Sequence, residues 1–143
     1  MKKILLISGG FDSLLIAKQK EKCIDEYVYL DYNHIFKDKE VAILDKIEQV
    51  YNIKIKYITI KDLKDIDGFF LGRNLHFFIT VREAFEGNIC VYFGNNCDDN
   101  YSDNTREFIS RVEKIINDSY PDTFRIICPL ENLTKQEIVS KYV

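Results

Sequence analysis

The sequence predicts an α/β fold in which a five-stranded parallel sheet carries helices on both faces. Five short segments rich in apolar and β-branched residues alternate with five segments of helical composition. Several of the apolar runs are continuous, which is typical of parallel strands buried on both faces. The alternation implies βαβ units, and a length of 143 residues suits a single domain spanning residues 1–143.

The N-terminal segment predicts a strand, a helix and a second strand. Residues 3–8, "KILLIS", are a continuous apolar run typical of a buried strand. Residues 12–22 have helical composition, so we expect the first helix there. Residues 26–32, "EYVYLDY", are rich in aromatic and β-branched residues and predict the second strand.

The following segment predicts an amphipathic helix and an edge strand. Residues 53–60, "IKIKYITI", alternate strictly between apolar and polar, which favours a strand with one exposed face at the sheet edge. Residues 61–71 have no clean period and predict a connection. The helix is expected over residues 37–52, with one apolar stripe formed by Val41, Leu44, Ile47 and Tyr51.

The central segment predicts a third helix and a fourth strand. The helix opens at "GRN" (residues 72–74) and continues through Glu86, where Gly87 is placed to end it. The apolar run at 88–94 predicts the fourth strand, and a polar loop follows over 95–103.

The C-terminal segment predicts a helix, a fifth strand and a last short helix. Asn104 and Glu107 resemble a capping pair, and Thr134 with Glu137 matches a capping box. The strand is expected over residues 124–130. At helical spacing, the longer helix is expected to bury Phe108, Ile109, Val112, Ile115 and Ile116.

Composition and charge exclude several classes of protein. Hydrophobic residues make up 46% and charged residues 30% of the chain, as in a soluble globular protein. A net charge of −3 argues against nucleic-acid binding through bulk electrostatics. We expect a cytoplasmic protein with no leader and no membrane partner, because the apolar start is too short for either role. The cysteines form no C-x-x-C pair and three lie in apolar segments, which favours buried thiols over disulfides.

Polar and glycine residues gather in the loops that follow the predicted strands. These loops are "SGGFDS" (8–13), "DYNH" (31–34), "GNNCDD" (94–99) and "PLENLTK" (129–135). In an open parallel sheet, ligands bind outside the carboxyl ends of the strands where strand order reverses. The loops therefore indicate a small-molecule site at one edge of the sheet.

The first loop has the composition of a phosphate cradle. Gly9 and Gly10 permit positive φ and close approach of a ligand, and the amides that follow open a helix. Ser8 and Ser13 add hydroxyl donors. The loop is neither a Walker A loop nor G-x-G-x-x-G. The alternative is a glycine turn in which Asp12 or Ser13 caps the helix.

"SGGFDS" resembles the S-G-G-x-D-S signature of the PP-loop ATP pyrophosphatases. Within that superfamily the chain is similar to the 7-cyano-7-deazaguanine synthase family over nearly its whole length. The resemblance extends to four further segments, "DY" (31–32), "GRN" (72–74), "YSDNTREF" (101–108) and "PLENLTKQEI" (129–138). It implies an adenine nucleotide alpha hydrolase-like (PP-loop) fold. The family's C-terminal four-cysteine zinc site has no counterpart in these 143 residues.

The resemblance implies an ATP- and Mg²⁺-dependent, AMP-forming carbon–nitrogen ligase of queuosine biosynthesis. Such an enzyme adenylates the carboxylate of 7-carboxy-7-deazaguanine before amide and nitrile formation. Alternatives are a non-catalytic nucleotide-binding module and a flavodoxin-like signalling fold without a nucleotide. Asn33 and His34 replace a glycine and a glutamine of the family, and we expect a homodimer or another subunit to complete an open site.

The resemblance also implies a role for individual residues. Asp12, Arg73 and Lys135 would be catalytic, the two cations offsetting phosphate charge, and Asp12 or Asp98 and Asp99 would bind Mg²⁺. His34 would meet the substrate, or is a surface loop histidine. Nucleotide-binding residues would be Ser8, Gly9, Gly10, Phe11, Asp12, Ser13, Asp31, Gly72, Arg73, Asn74 and Gly94, and substrate-binding residues His34, Asp98, Asp99, Tyr101 and Asp103.

Overall fold

Five strands and five helices alternate along the chain in a computed structural model, which describes residues 1–8, 10–60, 72–95 and 105–142. The predicted connection at 61–71 lies outside the described residues, as does most of the loop after the fourth strand. In chain order the elements are β1 (Lys2–Leu6), α1 (Phe11–Gln19), β2 (Glu26–Asp31), α2 (Lys37–Tyr51), β3 (Ile55–Thr59), α3 (Arg73–Ala84), β4 (Ile89–Tyr92), α4 (Arg106–Ser119), β5 (Phe124–Ile127) and α5 (Lys135–Tyr142).

The strands form one parallel sheet in the order β3-β2-β1-β4-β5. The central strand β1 pairs with β2 on one side and with β4 on the other, so that Leu5 lies opposite both Tyr27 and Tyr92. Strand order therefore reverses between β1 and β4, which is where an α/β sheet opens a crevice for a ligand. The predicted α/β class and the edge position of β3 are confirmed.

Two apolar cores cover the two faces of the sheet. On one face, Ile4, Leu6 and Val91 pack with residues of α3 and α4 such as Phe78 and Ile109. The other face carries the second core, formed by Leu5, Ile7 and Tyr29 together with Ile16 of α1, Leu44 of α2 and Ile138 of α5. Alternate strand residues face opposite ways, and each set is covered by helices, as the sequence predicts.

The end of α3 differs from the prediction. The helix ends at Ala84 and Phe85 is extended, while Gly87 adopts φ 79° beyond the helix. Buried Arg82 accounts for this end, because its Nη2 donates to the carbonyls of Phe85 at 2.8 Å and Gly87 at 2.6 Å. The cationic side chain thus binds carbonyls of the chain that leaves the helix, and hydrogen bonds of this charge-assisted kind are strong.

The N-terminal cap of α5 agrees with the prediction, whereas the N-terminal cap of α4 differs from it. Thr105 caps α4 through the Phe108 N–H, one residue after the predicted Asn104, which lies outside the described residues. Thr134 caps α5 by accepting from the Glu137 N–H at 3.0 Å, so the predicted cap is confirmed, and Glu137 Oε1 accepts from the Thr134 hydroxyl at 3.2 Å. Ile115 is 58% exposed, so its predicted burial is wrong. In the described part of the chain, every helix is too short or too polar to cross a bilayer.

Candidate functional site

A cavity of about 640 Å³ lies at the carboxyl ends of β1, β2 and β4, beside the reversal of strand order. Apolar side chains, among them Leu30, Tyr32, Phe77 and Phe93, form part of its wall. The cavity brings together many of the predicted residues, namely Ser8, Gly10, Asp12, Ser13, His34, Arg73, Asn74, Gly94 and Lys135.

The loop between β1 and α1 is held by the hydroxyl of Ser13. Its Oγ accepts from the Ser8 N–H at 3.2 Å and donates to the Gly10 carbonyl at 3.2 Å. Ser8 Oγ accepts in turn from the Gly10 N–H at 3.4 Å. Gly10 has φ −76°, so the positive φ that a glycine permits is not used at this residue. Ser13 therefore shapes the loop, and its proton is directed at the backbone.

The N-terminus of α1 carries no side-chain cap. Gly10 occupies the N-cap position, and neither Asp12 nor Ser13 caps the helix. The capping alternative for this loop is therefore wrong. The first turn keeps the partial positive charge of a helix start, and two of its residues, Asp12 and Ser13, line the cavity.

Gly94 brings the end of β4 against the start of α1. A Cβ on Gly94 would lie 3.2 Å from Ser13 N, 3.3 Å from Asp12 Cβ and 3.4 Å from Asp12 C. These distances are at or below ordinary van der Waals contact, and two of the three atoms belong to the backbone. A glycine at this position allows the two elements to approach each other at the cavity wall.

Two cationic residues reach the cavity from opposite faces of the sheet. Arg73 is the first residue of α3, after Gly72 at φ 73°, and its guanidinium lies 5.8 Å from the ring of Phe77. Lys135 is the first residue of α5, which packs in the core of the other face. Parallel strands place the two helix starts at one edge of the sheet, so both cations line the cavity.

Comparison with known families gives one match, which covers the C-terminal half of the chain. The family model described as "Queuosine biosynthesis protein QueC" matches residues 69–142, just over half of the chain. The chain belongs to the QueC family. No curated protein matches it significantly.

The QueC match includes part of the cavity wall. Arg73, Asn74, Gly94 and Lys135 fall inside the matched range, whereas the β1–α1 loop precedes it. Loop geometry alone therefore supports the β1–α1 part of the site, whereas geometry and the family match together support the part within residues 69–142.

Two predicted nucleotide ligands of this QueC-family chain do not line the cavity. Asp31 Oδ2 lies 2.9 Å from Lys37 Nζ, and its Oδ1 accepts from the Asn33 N–H at 2.9 Å. Burial opposes ionisation of Asp31, but these hydrogen bonds from Lys37 and Asn33 outweigh it and lower its pKa. Asp31 therefore fixes the loop after β2, and Gly72 provides the left-handed turn before α3.

His34 is buried at the cavity wall, with 6% of its surface exposed, so a surface loop histidine is wrong. Its ring stacks on Tyr32 at a centroid distance of 4.6 Å. Its Nε2 lies 3.2 Å from Glu40 Oε1 and 3.3 Å from Tyr29 Oη. Tyr29 and Glu40 line the same cavity and are absent from the sequence-based list of site residues. The only sequence signal for Glu40 is its position in the first turn of the helix after "DYNH".

Several predicted ligands lie outside the described residues of this QueC-family chain. In the part of the chain that is described, no cluster of three or more histidine, cysteine or acidic side chains could hold a metal ion. The predicted residues outside that part are Gly9, Asp98, Asp99, Tyr101 and Asp103, together with the side chain of Phe11.

Proposed function

We propose that the chain is an ATP-dependent, AMP-forming enzyme that adenylates a small carboxylate of the 7-carboxy-7-deazaguanine type. The observation that carries this proposal is the convergence of the uncapped α1 N-terminus, Arg73 and Lys135 on one cavity. A triphosphate needs distributed positive charge in a fixed geometry, and these three elements supply it from three directions.

The size and lining of the cavity support a nucleotide as one ligand. About 640 Å³ falls within the range of ordinary small-molecule pockets. Tyr32, Phe77 and Phe93 offer flat apolar surface for a base. Charged and apolar parts of one cavity thus match the two ends of a nucleotide.

Asp12 gives the site a carboxylate for Mg²⁺. In nucleotide enzymes this ion is held by one or two carboxylates together with substrate phosphates, so a cluster of three acidic residues is not required. Asp12 lies in the first turn of α1 and lines the cavity. When bound there, Mg²⁺ would offset charge on the phosphate oxygens.

The proposed reaction proceeds by displacement at the α-phosphorus. A carboxylate oxygen of the substrate attacks Pα, the bond from Pα to the bridging oxygen breaks, and pyrophosphate leaves with the electron pair. Ammonia then attacks the acyl carbon, expels AMP and loses one proton to solvent, which gives the amide. The amide oxygen would attack Pα of a second ATP with loss of pyrophosphate and of one N–H proton to solvent. Cleavage of the C–O bond would then release AMP, and loss of the second N–H proton to solvent would leave the nitrile. The carboxylate is already ionised, so Arg73 and Lys135 act by charge stabilisation without a general base.

The test is to measure AMP and pyrophosphate released from ATP and Mg²⁺, with and without 7-carboxy-7-deazaguanine and ammonia. We expect AMP that depends on the carboxylate substrate, and a loss of about a hundredfold in rate for Lys135→Ala or Arg73→Ala. Arg111→Ala, on the exposed side of α4, is the matched control. ATP binding without AMP under any condition would leave a nucleotide-binding module, and unchanged rates in both cavity variants would refute the assigned roles.

A further inference from the structure

An ion pair between Arg106 and Glu131 links elements on the two faces of the sheet. Arg106 is the first residue of α4, which packs in the core of one face. Glu131 lies in the loop from residue 128 to residue 134, here called the β5–α5 loop, which leads to the helix on the other face. The pair therefore joins these elements across the carboxyl end of β5.

The geometry of the pair is bidentate. Arg106 Nε donates to Glu131 Oε2 at 3.0 Å, and Nη2 donates to Oε1 at 2.9 Å. A planar guanidinium that engages both oxygens fixes the direction as well as the distance of its partner. The side chains are 50% and 20% exposed, and ion pairs near the surface add little to the stability of a whole fold. The specific effect of this pair is therefore on where the β5–α5 loop lies.

The β5–α5 loop connects Glu131 closely to Lys135, four residues further along the chain. The Leu133 N–H donates to the Leu130 carbonyl at 3.1 Å, so a tight turn encloses Glu131. Thr134 then caps the first turn of α5. A shift of Glu131 is thus passed through turn and cap to the residue that begins the helix.

The helix that carries Lys135 has little hold of its own on the fold. It has eight residues, Lys135–Tyr142, and helices shorter than about 12 residues are marginal without tertiary contacts. Among its described side chains, Ile138 is the buried one, while Val139 is 49% exposed. The start of α5 therefore depends on the loop that precedes it.

We propose that Arg106 and Glu131 are positioning residues, which hold the β5–α5 loop so that the ammonium of Lys135 reaches phosphate in the cavity. This inference rests on the proposed function, which assigns phosphate binding to Lys135. Arg106 and Glu131 lie outside the cavity lining that the structure describes, so they act through Lys135 and make no contact with the ligand there.

The first test is a double-mutant cycle on the affinity for ATP with Mg²⁺, measured by calorimetry. Lys135→Ala should weaken binding by about ten- to hundredfold, as for a hydrogen bond between charged groups. Arg106→Ala should weaken it by about three- to tenfold in the wild-type chain, but by less than about 1.5-fold when Lys135 is already alanine. Arg106→Lys, which keeps the charge without the fork, should give an intermediate loss.

The matched control is Arg111→Ala, because it removes an arginine–glutamate pair from the exposed side of the same helix. It should leave ATP affinity unchanged with or without Lys135. Glu131→Ala removes the Arg106 pair from its other end and should reproduce the effect of Arg106→Ala.

The second test needs no ligand. The Ile138 N–H donates to the Thr134 carbonyl at 2.9 Å within the first turn of α5. Hydrogen exchange of this amide should be about three- to tenfold faster in Arg106→Ala, whereas urea unfolding should match that of Arg111→Ala. This combination separates a shift of the helix start from a general loss of stability.

The inference is overturned if Arg106→Ala changes neither ATP affinity nor exchange at Ile138, or if its effect on affinity is the same with and without Lys135. Carboxylate-dependent AMP formation with such an uncoupled cycle would overturn this inference alone. A coupled cycle without AMP formation under any condition would support it and refute the proposed adenylation. A wild-type chain that binds no ATP would overturn both.

Discussion

Replacing Gly94 by alanine tests the packing of β4 against the start of α1. The new Cβ would lie 3.2 Å from Ser13 N and 3.4 Å from Asp12 C, backbone atoms that can move only with the helix. Overpacking of this kind costs about 1–3 kcal/mol, partly offset by about 0.4–1 kcal/mol from the stiffer unfolded chain. We therefore expect Gly94→Ala to lower the free energy of unfolding by about 1–2 kcal/mol.

The assay is urea unfolding followed by circular dichroism, with Gly10→Ala as the matched control. Among the described residues, a Cβ on Gly10 would meet Ser8 Oγ alone, at 3.3 Å, and a hydroxyl on an exposed side chain can rotate away. Gly10 also has φ −76°, which alanine adopts without strain, so its cost should stay below about 1 kcal/mol. Displacement of the α1 start should also weaken ATP binding by Gly94→Ala relative to the wild-type chain in calorimetry. Equal stability of Gly94→Ala and the wild-type chain would refute the proposed close approach.

Three further predictions concern charge and thiol burial. Arg82→Met should lower the free energy of unfolding by about 2–4 kcal/mol in urea, because it removes charged hydrogen bonds to buried carbonyls, and wild-type stability would contradict that role. The pKa of Asp31 is lower in the folded chain, so the unfolded state binds the proton more readily and ionised Asp31 stabilises the fold. This contribution is present above about pH 4 and is lost as the pH falls through the folded pKa. Lys37→Ala should reduce the loss of melting temperature at acid pH. Burial raises the pKa of Cys128 to about 12, so iodoacetamide at pH 8 should modify exposed Cys23 and spare Cys128, as peptide mapping by mass spectrometry can determine.

Local pattern predicted the elements well because strand and helix periodicity depend on near neighbours. Strict alternation over residues 53–60 was enough to place β3 at an edge, and the spacing of Thr134 and Glu137 was enough to predict a cap. The end of α3 could not be predicted in this way. It depends on Arg82, which bonds the chain beyond the helix and also reaches the Thr123 carbonyl at 3.4 Å.

The polar part of the site was predictable only where one loop supplies it. Ser8 and Ser13 are five residues apart, and their hydrogen bond is closed within that loop. Glu40 was missed because its significance depends on Tyr29 and His34, which reach it across the junction of β2 and α2. The burial of His34 was missed for the same reason, because it depends on a contact in the folded chain, the stacking of the His34 ring on Tyr32.

The sequence by itself determined the alternation of strands and helices, the loop that begins at Ser8, and the resemblance to a nucleotide-activating family. Tertiary structure alone decided that Arg73, Lys135 and the α1 start share one cavity. The physical reason is that all five strands are parallel, so helices on both faces begin at the same edge, and that β4 pairs with β1 on the side away from β2, which opens the crevice there. No periodicity within a single segment encodes that pairing, because it depends on burying both faces of the sheet at once.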